Sequence, residues 1–264
     1  MRTPLTSPAS RSRSKLATFG LALATAVFYT ACSDSNAPQS IVAQGPTTAM
    51  ASGTGHTYVS LDPDGKPTEV GIRFSESALE SLPAGTTMVD YTFALPAEAA
   101  ATPYTHVVIG WNPLGHPPTV YLAPHLDVHF YQITPAAREA ILPSDAQFNA
   151  KLAAQPSAAF VPPSYVLTPG GVPRMGAHWV DTTSPEQNGQ AFTNTFIFGS
   201  YDGAFIFAEP MIATAFLRTH AAVNAALKVP AQYATPGRYP TRYTVTFDAT
   251  AKEYQIALTG LVAR

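Results

Sequence analysis

Apolar and polar residues alternate in short runs from residue 57 onward, and each run predicts a strand. Thr57-Tyr58-Val59-Ser60-Leu61 alternates, breaks at Asp62-Pro63-Asp64-Gly65, and resumes in Glu69-Val70-Gly71-Ile72-Arg73-Phe74, which reads as a hairpin. Residues 75–82 carry one or two helical turns, stopped by Pro83 and Gly85. Strands follow over 88–95, 106–111 and 119–121, the last two flanking a turn at 112–118. Thr134 with Pro135 behind it predicts a helix start, and Ser144 a second helix to about Gln155. After a Pro- and Gly-rich loop at 162–173, strands over 191–198 and 203–208 meet at Gly199-Ser200-Tyr201-Asp202-Gly203. Residues 211–227 read as mainly helical, and 239–248 with 253–261 as a last hairpin. Strands follow strands and helices arrive late. The expected fold is therefore mainly β, an antiparallel sandwich or barrel with a few short helices, with α+β as the alternative.

Pro124-His125-Leu126-Asp127-Val128-His129-Phe130-Tyr131 changes that picture. As a strand it turns His125, Asp127 and His129 to one face and Leu126, Val128 and Phe130 to the other. A helix would also bring His125 and His129 together, but Pro124, Val128, Phe130 and Tyr131 favour the strand. The apolar set belongs to a core; the polar set lines a cavity, cleft or metal site.

Composition narrows the function classes. Hydrophobic residues make up 46% of the 264, enough for a real core, and only 12% are charged. With a net charge of −2 and no basic run beyond the N-terminus, nucleic acid is excluded as an expected partner. The one cysteine, Cys32, rules out an intramolecular disulfide.

Residues 1–32 read as an export signal: Arg2, Arg11, Arg13 and Lys15 precede an apolar run over 16–29. Its end, Tyr29-Thr30-Ala31-Cys32, resembles the lipobox of bacterial lipoproteins, with Tyr29 in place of the usual leucine. That resemblance implies acylation of Cys32 and a membrane anchor; the plainer alternative is an ordinary signal with a chance cysteine. Residues 33–52 read as a flexible tether and 53–264 as one β-rich domain. The expected location is the cell envelope, on the outer membrane or elsewhere outside the cytoplasm.

Imidazole and carboxylate suit zinc, and also iron or manganese. His125, Asp127, His129, His178 and Glu209 are the candidate ligands of one divalent metal, with Arg174, Tyr131 and Trp179 as candidate substrate contacts. Strand residues four apart lie about 13 Å apart at Cα, so His125 and His129 share an ion only across a bend. One imidazole with Asp127, either as co-ligand or as acceptor behind it, is the simpler arrangement. A hydrogen-bonded network without an ion is the competing reading, and Glu209 could equally be an acid at a helix start. His56, His106, His116 and His220 look unremarkable. No nucleophile elbow, phosphate loop or dinucleotide fingerprint is present.

The blocks Pro-His-x-Asp-x-His-Phe-Tyr (124–131), Met-Gly-x-His-Trp (175–179), Phe-Gly-Ser-Tyr-Asp-Gly (198–203) and Glu-Pro-Met (209–211) resemble a family of exported bacterial proteins. The resemblance implies one site built from these blocks and carries no activity with it. The leading expectation is a lipid-anchored envelope protein with a divalent-metal site, a metal-dependent hydrolase or lyase. The rival is a non-catalytic ligand-binding or assembly protein, self-associating in the assembly case, with Trp111, Tyr131 and Trp179 lining an apolar pocket for a small molecule.

Overall fold

The computed structural model describes residues 41–264; residues 1–32, read above as an export signal ending at Cys32, lie outside them. In chain order the strands are β1 (Ile41–Gln44), β2 (Thr48–Met50), β3 (Gly53–Leu61), β4 (Pro67–Ser75), β5 (Val89–Ala94), β6 (His106–Asn112), β7 (His125–Tyr131) and β8 (Tyr165–Leu167). They continue as β9 (Ala177–Asp181), β10 (Asn194–Tyr201), β11 (Ala204–Ala213), β12 (Val223–Ala226), β13 (Arg238–Tyr239), β14 (Arg242–Asp248), β15 (Glu253–Thr259) and β16 (Val262–Ala263). The helices are α1 (Glu76–Glu80), α2 (Pro135–Glu139), α3 (Phe148–Ala153) and α4 (Thr214–Leu217).

Two open seven-stranded antiparallel sheets result, beside a two-stranded pair of β13 with β16. The first runs β1-β3-β4-β15-β14-β12 with β2 also on β3; the second runs β5-β6-β7-β11-β10-β9-β8. Neither closes on itself, so the fold is a β-sandwich rather than a barrel. The main core lies between the sheets: Val59, Val70, Ile72, Phe74 and Ile256 of the first pack with Val107, Ile109, Leu126, Val128 and Phe130 of the second. The alternation of β7 is what commits Leu126, Val128 and Phe130 to that core.

Its other face is covered too, and all seven β7 residues are buried. The 132–176 excursion lays Ile141, Phe148 and Met175 over Tyr131 and Phe207 at one end of this face. Tyr121 and Phe192 cover Met211 and Ala213 at the other. The polar set therefore lies in a roofed layer between the sheet and its own loops.

Local chemistry explains the turns. Asp202 (φ 53°) and Gly203 (φ 77°) make the two-residue connection of β10 to β11, the left-handed pair a tight hairpin needs. Thr134 Oγ1 accepts from the Ala137 amide at 3.2 Å and Pro135 opens α2, as expected.

Four stretches differ from the sequence reading. Residues 41–50, read as tether, form β1 and β2 on β3, and Met50 is fully buried. Thr119–Tyr121 is a 3-10 turn, not a strand. The helix expected from Ser144 begins only at Phe148. Residues 211–227 are mostly strand: β11 runs to Ala213, α4 is four residues, and β12 pairs with β14. Ala-rich composition suggested a helix there; the open edge of β14 supplies the competing hydrogen bonds.

Candidate metal centre

β7 lies between β6 and β11, and its register fixes the site. Asn112 pairs with His125, Gly110 with Asp127, and Met211 with Asp127 from the other side. The 113–124 loop leaves β6 at Asn112 and must return to His125 directly opposite. Its residues therefore stack over that end of the face, and His116 is among them. A backbone hydrogen bond from the His116 amide to the Tyr121 carbonyl (3.1 Å) closes the loop. Tyr121 is held in turn by Glu186, whose carboxylate also accepts from Ser184 Oγ at 2.7 Å.

The result is a convergence of His116, His125 and Asp127, whose ligand atoms all lie within 4.8 Å of one another. His125 Nε2 stands 3.0 Å from Asp127 Oδ1, and His116 Nε2 stands 3.5 Å from Asp127 Oδ2. Both imidazoles face a backbone carbonyl with Nδ1: His125 at Ala123 O (2.7 Å) and His116 at Pro117 O (2.8 Å). Nδ1–H is then the donor, and each neutral ring turns its Nε2 lone pair toward the carboxylate. Asn112 Nδ2 donates to Asp127 Oδ2 at 2.7 Å, which leaves Oδ1 free. Three acceptors aimed at one point repel unless a cation sits among them, be it a proton or a metal ion. Ligands about 2.0–2.1 Å from a tetrahedral zinc lie roughly 3.3 Å apart, and the carboxylate stands 3.0 Å from one imidazole through Oδ1 and 3.5 Å from the other through Oδ2. The carbonyl behind each imidazole is the outer partner metal-binding histidines require. This His/His/Asp group can hold a metal ion.

Charge distribution agrees. Burial alone would raise the Asp127 carboxyl; with a cation shared among the three groups, here protons on Nε2 of His116 and His125, hydrogen bonds and charge from the two rings outweigh burial and hold Asp127 well below the usual carboxylate range. Burial alone would lower His116, but its contact with Asp127 raises it. Glu209, by burial and then by the negative charge of Asp127, is pushed well above the usual range. Two carboxyls on neighbouring strands are thus split into an ionised and a protonated one.

The five sequence-predicted ligands divide. His125 and Asp127 belong to the triad. His129 does not: its Nε2 is 3.5 Å from Glu209 Oε2, and the two form a separate buried pair one step along the strands. His178 is kept from that pair by Phe207, whose ring lies 4.8 Å from His129 and 5.6 Å from His178. The ring fits because residue 199 is glycine; a Cβ there would stand 2.0 Å from the Phe207 ring edge. Burial holds His129, His178 and His106 at about 4, so all three are neutral near pH 7.

Tyr131 stacks on His106 and His129 within the layer, ring centroids 4.9 and 5.5 Å away, and Arg174 lies at that end of it. Tyr131 donates to the Arg174 carbonyl at 3.2 Å, and the Arg174 guanidinium is 3.4 Å from Asp90. Trp179 pairs with Phe198 on the opposite face and gives its indole N–H to Ser200 Oγ at 2.8 Å. It does not join the polar layer. Trp111 is likewise inside the sandwich core, donating to the Pro83 carbonyl at 2.8 Å.

Sequence reasoning missed His116, set aside as a turn residue. The available signal was the hairpin: two long strands flanking a loop place every loop residue over the last pair. Eight of the ten buried side-chain polar atoms without a hydrogen-bond partner among the described residues sit in this layer, on Asp90, His106, His125, Asp127, His129, Arg138 and Glu209. Such groups are costly unless something polar reaches them. The layer is a polar site, not a second core.

The chain is similar to the TTHB210-like family. The model of that family, described as hypothetical protein TTHB210, matches residues 62–111, from the β3–β4 turn through β6, and stops short of His116 and β7. No curated protein and no solved structure matches.

Proposed function

We propose that this protein is a lipid-anchored protein of the cell envelope that binds a single divalent metal, zinc by ligand chemistry, through His116, His125 and Asp127. The observation that carries the reading is the meeting of three lone-pair groups: two imidazoles whose Nδ1 faces the Ala123 and Pro117 carbonyls, and a carboxylate that accepts from Asn112 Nδ2. Two imidazoles and one carboxylate are a donor set that zinc accepts, and three protein ligands leave a position for substrate or water. The side chain of His116 is 34% exposed while those of His125 and Asp127 are at most 4%. Access to the centre is therefore from the His116 side.

Bound there, the ion supplies a Lewis acid for hydrolysis or for a lyase reaction. The chain supplies the rest. Asn112 orients Asp127, the carbonyls of Ala123 and Pro117 fix the imidazole tautomers, and protonated Glu209 holds a proton beside the ionised Asp127. Export and anchoring are proposed from the basic and apolar start of the chain and from Ala31-Cys32.

Elemental analysis of the purified full chain tests the metal: about one zinc per chain in the wild type, lost in His116→Ala and Asp127→Asn, retained in His178→Ala. Loss in His178→Ala with retention in His116→Ala would overturn the assignment. Membrane fractionation tests the anchor: Cys32→Ser releases the protein to the soluble fraction.

A further inference from the structure

A second site lies away from the polar layer, where the 227–240 segment crosses the end of β10 and β11. It is a cavity of about 290 Å³. Tyr104, Phe160, Phe198, Phe205, Tyr233 and Tyr239 face it, with four prolines among the remaining lining residues. None of the three aromatics expected to line a pocket takes part. The 227–240 wall is tied down at several points. Leu227 N donates to Thr241 O at 2.8 Å, Gln232 N to Ala159 O at 2.9 Å, and Tyr233 packs on Tyr239 at 3.9 Å. The cavity is thus preformed by stiff rings and fixed backbone, which reduces the ordering cost of binding.

Two polar details decide the ligand. Tyr104 is 5% exposed, lines the cavity, and its hydroxyl has no hydrogen-bond partner among the described residues. Burial raises this phenol well above its ordinary value, so it is a neutral donor. Lys228 is the one cation in the lining, and its Nζ is already taken by Asp181 Oδ1 (2.7 Å) and Thr183 Oγ1 (2.5 Å). A carboxylate entering here would find no free positive charge and would be desolvated without a partner. A fatty acid is therefore disfavoured. A dry cavity of about 150 Å³ takes one benzene ring, so roughly twice that volume suits two fused rings. Aromatic walls favour flat partners by offset and edge contacts.

We propose that this cavity binds an uncharged aromatic molecule of about two fused rings, carrying one hydrogen-bond acceptor that meets the Tyr104 hydroxyl. The site is independent of the metal centre, and chelator does not affect it.

Fluorescence titration of the full chain with 2-naphthol is the test. Saturable one-to-one binding is expected. Ala204→Trp, which fills the cavity, weakens it at least about tenfold. Tyr104→Phe weakens it about fivefold by loss of one hydrogen bond. Circular dichroism checks that each variant is folded, and Ala234→Trp from the opposite wall replaces Ala204→Trp if that variant fails to fold. Absence of saturable binding, binding unchanged by the cavity-filling variant, or displacement by dodecanoate at or below the 2-naphthol concentration would each overturn the proposal.

Discussion

Asp127 is the residue on which the site turns. Its carboxylate takes one amide donor from Asn112 and faces two imidazole nitrogens, so its charge is answered only when a cation joins them. Asp127→Asn keeps the shape and removes the charge; zinc affinity is expected to fall at least a hundredfold by equilibrium titration, as loss of a ligand does. Glu209 behaves oppositely. Because burial and Asp127 keep it protonated, Glu209→Gln replaces a neutral group by a neutral group of the same shape. Thermal unfolding is expected to change by no more than about 1 kcal/mol, and metal content to stay unchanged. A loss of metal in Glu209→Gln would make Glu209 an ionised ligand and contradict the charge split.

At the scale of elements, β7 is defined by its neighbours. β6 supplies Asn112 and Gly110 beside His125 and Asp127, and β11 supplies Glu209 and Phe207 beside His129. Packing across β10 depends on Gly199. Gly199→Ala drives a methyl into the Phe207 ring and is expected to cost about 1–3 kcal/mol in denaturant unfolding, the usual range for an overpacked position. The sequence made β7 legible because its alternation is strict and its apolar half is large. It made the β10–β11 hairpin legible because Asp202-Gly203 has few other uses. It concealed β12, since Ala-rich residues 221–227 carry helix propensity and the pairing edge that overrides it lies on β14. It concealed His116 because nothing local marks a loop residue as folded back over a strand that begins nine positions later. It also could not show that Phe207 stands between His129 and His178, which requires knowing that β10 lies beside β11 and that Gly199 leaves room.

At the scale of the molecule, the sandwich follows from the strand succession, while the roof over the polar face does not. That roof is made from 113–124 and 132–176, segments with weak periodicity and many turns, and it converts an exposed histidine face into a buried one. The conversion has a cost in acid. His106, His129 and His178 are each held at about 4, below the 6.5 of an unfolded chain, chiefly by burial. Above pH 6.5 neither state binds these protons and stability is unaffected. As pH falls from 6.5 toward 4 the unfolded chain takes them up first, so stability is lost across that window. Chelator-treated protein is expected to unfold more easily with each step down in pH from 6.5 to 4. The slope should be shallower in His178→Phe; a flat profile over that window would contradict the neutral histidines. Metal adds to the same trend, since its ligands must be unprotonated to bind.

The central claim is that one divalent ion sits among His116, His125 and Asp127. Anomalous diffraction at the zinc edge from crystals of the zinc-loaded protein reads this directly. One peak is expected about 2.0–2.1 Å from Nε2 of His116, from Nε2 of His125 and from a carboxylate oxygen of Asp127. No peak at that position, or a peak among His129, His178 and Glu209 instead, would contradict it.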